Sequence, residues 1–328
     1  MKKVVSIGGG TGSYTVLSGL KKKDLDLTAV VTCADNGGST GRLRDEFGFL
    51  PVGDFRMALV ALADANGDND VLRELFLYRF DKGAGLLGHN FGNLLLTALT
   101  DIFNSEDKAF EYASKILRVK GRVLPITNEP VTLIAHYEDG EIIIGETHID
   151  APHLKHDGTK RIVDVSIQPK ARINKKTCEA IMKADLIVLG PGDLFTSTIA
   201  NLIVSGVAES LQKSSARVAL VISLMNKFGQ TYGFKVSDYV ETIKKYLGKY
   251  PDYVIINTEK MPKSILRRYQ EEKGHPPMDD IRPSRKYRVI RRHLLAGEIV
   301  GRKGEDIVKR SLIRHDSDKL ANVLAGLL

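Results

Sequence analysis

Val4-Val5-Ser6-Ile7-Gly8-Gly9-Gly10-Thr11-Gly12-Ser13-Tyr14-Thr15-Val16 joins an apolar run, a glycine cluster and the start of a helical pattern. Its first four residues are apolar-biased and read as a buried strand. They run into Gly8, Gly9, Gly10 and Gly12, and a helical pattern opens at Ser13 and carries Val16, Leu17 and Leu20. A strand, a glycine turn and a helix start make a phosphate-binding site. Glycines let the backbone approach an anion, and the free amides of the helix N-terminus point at it. The dinucleotide fingerprint G-x-G-x-x-G would place a third glycine at position 13, where this chain has Ser13. The stretch therefore reads as a nucleotide-phosphate loop more than as an NAD loop.

Outward from this unit, Leu27-Thr28-Ala29-Val30-Val31-Thr32-Cys33 is a second β-branched run. Neither run alternates with polar residues, so both read as strands of a parallel sheet buried on two faces. Residues 55–118 are mostly helical in pattern. Glu138-Asp139-Gly140 then separates two strand-like runs, 131–137 and 141–146, and an Asp-Gly turn in that setting signals an antiparallel hairpin. Buried strands resume at 184–189, 217–224 and 252–256. Strand–helix alternation at both ends of the chain predicts an α/β fold: one doubly wound, mostly parallel Rossmann-like sheet in a single domain, 1–328. The hairpin is expected as an insertion at about 123–150, and a basic C-terminal extension at about 260–328.

The composition agrees with a globular protein: 328 residues, 43% hydrophobic and 27% charged. Cys33 and Cys178 are the two cysteines, which excludes a disulfide framework and fits a reducing compartment. The apolar run after Met1-Lys2-Lys3 is too short for a signal peptide or a membrane span, so a cytoplasmic location is expected. The net charge of +8 is concentrated. Residues 260–315 hold 16 Lys and Arg against 7 Asp and Glu, which leaves the rest of the chain near neutrality. Few aromatics and no nucleic-acid motif accompany this charge. It reads as a solvated face or a guide for an anionic ligand, and no nucleic-acid partner is expected.

In open α/β sheets ligands sit beyond the carboxyl ends of the strands. The second strand leads into Asp35-Asn36-Gly37-Gly38-Ser39-Thr40-Gly41-Arg42, a loop rich in groups that bind ribose, phosphate or a metal-bound phosphate. Asp54 follows Gly53 at a helix start, where it either caps the helix or faces the pocket. His89 lies between Gly88 and Gly92, close to Asn93, and is a candidate acid or base. Gly190-Pro191-Gly192-Asp193-Leu194-Phe195-Thr196-Ser197 repeats the strand, turn and helix logic. Thr231 and Asn257 follow two further strands. The candidate ligand-binding set is Gly9, Gly10, Thr11, Gly12, Asp35, Asn36, Gly37, Ser39, Arg42, Asp54, His89, Asn93, Gly192, Asp193, Thr196, Thr231 and Asn257. Asp35, Asp54 and His89 are the catalytic candidates. Glu146, His148, Asp150, His153, His156 and Asp157 are metal-ligand types, but their spacing matches no standard zinc pattern, and no metal site is assigned.

Taken together, Gly8-Gly9-Gly10-Thr11-Gly12, Asp35-Asn36-Gly37-Gly38-Ser39-Thr40-Gly41, Pro51-Val52-Gly53-Asp54, Gly88-His89 with Gly92-Asn93, the Gly190–Ser197 loop and Arg314-His315-Asp316 with Lys319-Leu320-Ala321 resemble the gluconeogenesis factor family of bacteria. That family belongs with the 2-phospho-L-lactate transferase superfamily. The resemblance covers nearly the whole chain. It implies a Rossmann-like fold, a cytoplasmic location and binding of a UDP-sugar, particularly UDP-N-acetylglucosamine. It also implies a role in cell shape and wall synthesis during gluconeogenic growth. A homo-oligomer and a partner from cell-wall synthesis are expected. Family members have no established reaction, whereas the transferases proper move a phospholactyl group from a nucleotide-activated donor. Mg²⁺ on a diphosphate held by Asp35 or Asp54 would suit that alternative, and NAD binding is the third. The chain departs from the family at Ser223-Leu224-Met225-Asn226-Lys227-Phe228-Gly229-Gln230-Thr231, where Asn-Leu-Met-Thr-Gln-Pro-Gly-Glu-Thr is more usual. Asn226, Lys227 and Gln230 are therefore left outside the expected contacts.

Overall fold

The computed structural model describes residues 1–64, 69–153, 155–297 and 312–328. The chain opens with β1 (Lys2–Gly8), α1 (Gly10–Leu20) and β2 (Leu25–Val31). Five helices follow: α2 (Gly38–Phe47), α3 (Gly53–Leu62), α4 (Asn69–Leu77), α5 (Phe91–Phe103) and α6 (Glu106–Ile116). Next come β3 (Arg122–Pro125), β4 (Thr132–Tyr137), β5 (Ile142–Ile144), the short α7 (Glu146–Asp150) and β6 (Ile162–Gln168). Helix α8 (Lys175–Met182) leads to β7 (Leu186–Leu189), and a π-helical turn, Leu194–Ile199, runs into α9 (Ala200–Leu202). The remainder is α10 (Val207–Lys213), β8 (Arg217–Val221), α11 (Val236–Leu247), β9 (Tyr253–Asn257), α12 (Lys263–Glu271), β10 (Arg288–Arg292) and α13 (Ser317–Ala325).

Seven strands form one sheet in the order β10-β9-β8-β7-β1-β2-β3. Every pair in it is parallel. The interior strands are apolar without alternation, and all four residues of β7 are buried, as a sheet covered on both faces requires. From β1 the chain builds outward through β2 and β3, then returns to the other side of β1 with β7, β8, β9 and β10. The strand order therefore reverses between β1 and β7. That reversal opens a crevice at the carboxyl ends of the strands. Helix α1 fills the sheet face beside it and packs against α3 and α13.

The hairpin differs from expectation in extent. Val123 lies in β3, which pairs with β2 at the edge of the main sheet. The hairpin is β4–β5, turning at Gly140 with φ +87°. It forms a separate three-stranded antiparallel sheet, β5-β4-β6. The third strand carries no local mark of its pairing, because it reaches β4 only after a long connection that contains α7. Nor is the basic C-terminal region an appendage. β10 pairs with β9 as the seventh parallel strand. Asp316 caps α13 by accepting from the Asp318 and Lys319 amides at 2.9 and 2.8 Å. Leu320 and Ala321 of that helix are buried, so the C-terminal motif serves packing. Residues 298–311 of the basic stretch lie outside the described residues.

A carboxylate-lined cleft at the sheet's switch point

The crevice between β1 and β7 is built by close backbone approach. Gly10 has φ +56° and its N–H donates to Asp54 Oδ1 at 2.7 Å. A Cβ at Gly9 would collide with the same carboxylate, and a Cβ at Gly12 would collide with the Pro191 carbonyl. The glycines thus let α1 press its first turn against the β7 loop and against Asp54. One amide of the glycine loop is already spent on a protein carboxylate. The next two, at Thr11 and Gly12, begin α1 and have no acceptor within the helix.

The floor of the cleft is acidic. Asp35 Oδ1 accepts the Gly37 N–H at 2.8 Å, and its Oδ2 lies 2.8 Å from where a Cβ of Gly53 would stand. Asp35 and Asp54 therefore meet at the start of α3. Burial first, and then Asp35, push the Asp54 carboxyl up to about 7. Burial likewise raises Asp35, and Asp150 adds to the effect. Glu146 and Asp150 stand one turn apart on α7 and bring the small sheet's charges to the same place. Burial holds Glu146 well above the usual carboxylate range, with Asp150, Asp35 and Asp54 contributing. Burial also raises Asp150, although Lys227 opposes it. These carboxylates all keep some solvent access. Groups crowded by protein yet still wetted are what a cleft floor contains.

Two cations act on them: Arg56 lowers the Asp35 and Asp54 carboxyls, and Lys227 lies against Asp150. Lys227, on the loop after β8, places its ammonium 2.8 Å from Asp150 Oδ2 and 2.7 Å from Asp193 Oδ2. Burial disfavours that charge, but Asp193 and Asp150 outweigh it and raise the Lys227 pKa above the ordinary value. Asp150 Oδ1 accepts from Thr196 Oγ1 at 3.0 Å and from Gln230 Nε2 at 2.6 Å.

The structure sorts the sequence candidates into groups. Gly9, Gly10, Thr11, Gly12, Asp35, Asp54, Gly192, Asp193 and Thr196 come together around the switch point. Asn36 and Gly37 border it, and Asn36 Oδ1 fastens α7 by accepting from Thr147 N and Oγ1, each at 2.9 Å. Ser39, His89 and Asn93 form a buried network behind the cleft. Ser39 Oγ lies 3.3 Å from His89 Nδ1 and accepts from Asn93 Nδ2 at 3.3 Å, while Asn93 Oδ1 accepts from Arg56 Nε at 2.8 Å. Burial and the Arg42 charge lower the His89 pKa. Arg42 is exposed and donates to the Leu87 carbonyl at 3.2 Å. Thr231 is buried behind its loop, accepting from Lys227 N at 2.9 Å and from Tyr239 Oη at 3.3 Å. Asn257 is used structurally: Nδ2 donates to the Glu259 carbonyl in its own turn at 3.0 Å, and Oδ1 accepts from the distant Leu294 N at 2.9 Å.

Glu146, Asp150, Lys227 and Gln230 are cleft residues outside the candidate set. The i, i+4 spacing of Glu146 and Asp150 was a usable signal, because it puts both on one helix face. The metal-type cluster they were grouped with divides. His153 Nε2 and His156 Nδ1 pair instead with Glu141 at 3.1 and 2.6 Å. Among the described residues, no three His, Cys, Asp or Glu side chains are gathered so as to hold a metal by themselves. The all-oxygen donors still fit Mg²⁺, which takes one or two carboxylates and completes its shell with water and phosphate. Two surface cavities lie elsewhere. One of about 360 Å³ adjoins His89, Phe47 and Asp101, and one of about 290 Å³ adjoins Lys3, Asp26 and Arg122 at the opposite strand ends.

Residues 4–295 match the family described as 2-phospho-L-lactate transferase CofD. The "Gluconeogenesis factor" of Bacillus subtilis is 37% identical over 329 residues, covering 99% of this chain and 98% of that protein. The protein of the same name from Halalkalibacterium halodurans is 39% identical over 281 residues, or 85% and 84% of the two chains. The crystal structure of a Bacillus halodurans protein superposes with a TM-score of 0.87 at 35% identity, covering 99% of each chain. No described helix is long and apolar enough to cross a membrane. With its glycine loop, parallel sheet and near full-length matches, the chain belongs to the gluconeogenesis factor family, within the 2-phospho-L-lactate transferase CofD family.

Proposed function

We propose that the protein binds a nucleotide-diphosphate sugar of the UDP-N-acetylglucosamine type in the switch-point cleft and acts as a cytoplasmic regulator of wall synthesis and cell shape during gluconeogenic growth. The observation that carries this reading is the meeting of the α1 glycine turn, the Asp193 loop and the Asp35–Asp54 pair on one rim. The names of the relatives support the link to gluconeogenesis; the wall-synthesis and cell-shape part rests on the family resemblance of the sequence. The first-turn amides at Thr11 and Gly12 would receive phosphate oxygens. Asp193 and Glu146 would accept from sugar hydroxyls.

Charge sets a condition. Lys227 and Arg56 offset only part of the charge of these carboxyls when they are ionised, so a diphosphate entering alone would be repelled by them. A divalent cation such as Mg²⁺, held by Asp35 and Asp54, would supply the missing positive charge. Calorimetry with UDP-N-acetylglucosamine and Mg²⁺ tests the reading: saturable heat is expected, lost in EDTA and not competed by NAD. Absence of heat at millimolar ligand contradicts it. A second reading, a nucleotide-dependent transferase of the phospholactyl type, is favoured by the family match. Release of free nucleotide from UDP-, GDP- or phospholactyl-nucleotide donors would establish it.

A further inference from the structure

The Lys227 ammonium bridges two carboxylates that come from different parts of the molecule. Asp150 belongs to α7, beside the small sheet, and Asp193 to the loop after β7 of the main sheet. The rest of the surroundings is oxygen-rich. Thr196 Oγ1 touches Asp150 at 3.0 Å. The Gln230 carboxamide lies against Asp150 through Nε2; the residue is 1% exposed, and its Oε1 has no hydrogen-bond partner. Two carboxylates, a hydroxyl and a spare amide oxygen form the kind of donor set that holds a hard divalent cation. Sites that clamp phosphate with two metal ions place them roughly 3.5–4 Å apart, each ion bridging carboxylates.

We propose that Lys227 is a built-in cation: its ammonium stands where a second divalent ion would otherwise bridge Asp150 and Asp193, so that the cleft takes one metal ion and not two. The proposal rests on the function proposed above only for the first ion, at Asp35 and Asp54. A lysine in this place supplies positive charge at any metal concentration. The Lys227 side chain is 31% exposed, and an ammonium with two acceptors keeps a third N–H for an anionic ligand. An ammonium also lacks the Lewis acidity of a metal ion, so this half of the cleft is equipped to hold phosphate. Gln230 completes the device, because its neutral amide donates to Asp150 where a carboxylate would demand a further cation.

The test counts bound Mn²⁺ per chain by electron paramagnetic resonance on the full-length protein. Wild type is compared with Lys227→Ala, Lys227→Gln and Lys227→Arg, each checked by thermal melting. Lys227→Ala and Lys227→Gln are expected to bind one more Mn²⁺ per chain than wild type, and Lys227→Arg none more. Two variants are used so that a folding failure in one leaves the other to decide. Folded Ala and Gln variants with the wild-type count would overturn the proposal. If wild type binds none and both variants bind one, Lys227 keeps this role and the cation at Asp35 and Asp54 falls. If wild type and variants all bind one, the reverse holds.

Discussion

Asp54 accepts the Gly10 N–H at 2.7 Å while standing beside Asp35, and this double duty makes it the most informative single residue. A carboxyl raised to about 7 binds its proton more tightly in the folded chain than in the unfolded one. Between the ordinary value near 3.8 and about 7, the folded state therefore holds more protons. Stability from this group is present at low pH and falls as pH rises through that window. Melting temperature measured against pH should decline across it in the metal-free protein, and Mg²⁺ should reduce the decline. Asp54→Asn keeps an acceptor for Gly10 and removes the charge. It should flatten the decline and weaken Mg²⁺-dependent ligand binding by on the order of tenfold, the loss of a charge-assisted contact worth ~1.4 kcal/mol. An unchanged pH slope in this variant would contradict the assignment. At this scale the glycine loop, Asp35, Asp54 and Asp193 were legible, because strand ends and helix starts announce themselves locally. Lys227 was not, since its partners are remote in sequence and only the fold brings them near. His89 stands between glycines as a ligand loop would, and the fold sets its ring 3.3 Å from Ser39 Oγ behind the cleft, a placement that no local signal gives.

Between elements, the critical joint is α1 against the β7 loop. Gly12→Ala would drive a methyl group into the Pro191 carbonyl. Backbone cannot swing aside as a side chain can, so a loss of about 1–3 kcal/mol or more is expected in the denaturant midpoint, together with loss of ligand binding. The C-terminal helix is a control at the same scale. Asp316→Ala removes the α13 cap and should cost about 1 kcal/mol while leaving ligand affinity unchanged. A large binding defect in that variant would mean α13 reaches the site. Element type was readable wherever periodicity was strong: the β4–β5 hairpin was marked by its Asp-Gly turn, and the buried strands by unbroken apolar runs. What pairs with what was less readable. β6 carries an ordinary strand sequence, Ile162-Val163-Asp164-Val165-Ser166-Ile167-Gln168, and nothing local assigns it to β4. The placement of β10 beside β9 was hidden in the same way, because its arginines read as a charged extension.

Across the whole molecule, a wholly parallel sheet whose order reverses between β1 and β7 gathers loops that are more than a hundred residues apart in the chain. The small sheet is placed so that α7 adds Glu146 and Asp150 to that gathering. The proposed binding of a diphosphate in this carboxylate-lined cleft therefore calls for a cation beside it. The most direct measurement is a crystal structure of the protein with UDP-N-acetylglucosamine and Mn²⁺, read by the anomalous signal of the metal. One Mn²⁺ peak is expected between Asp35 and Asp54, with the diphosphate spanning from that ion to the first turn of α1. Ligand seated in the cavity beside His89, or a diphosphate bound in the cleft with no metal peak, would contradict it.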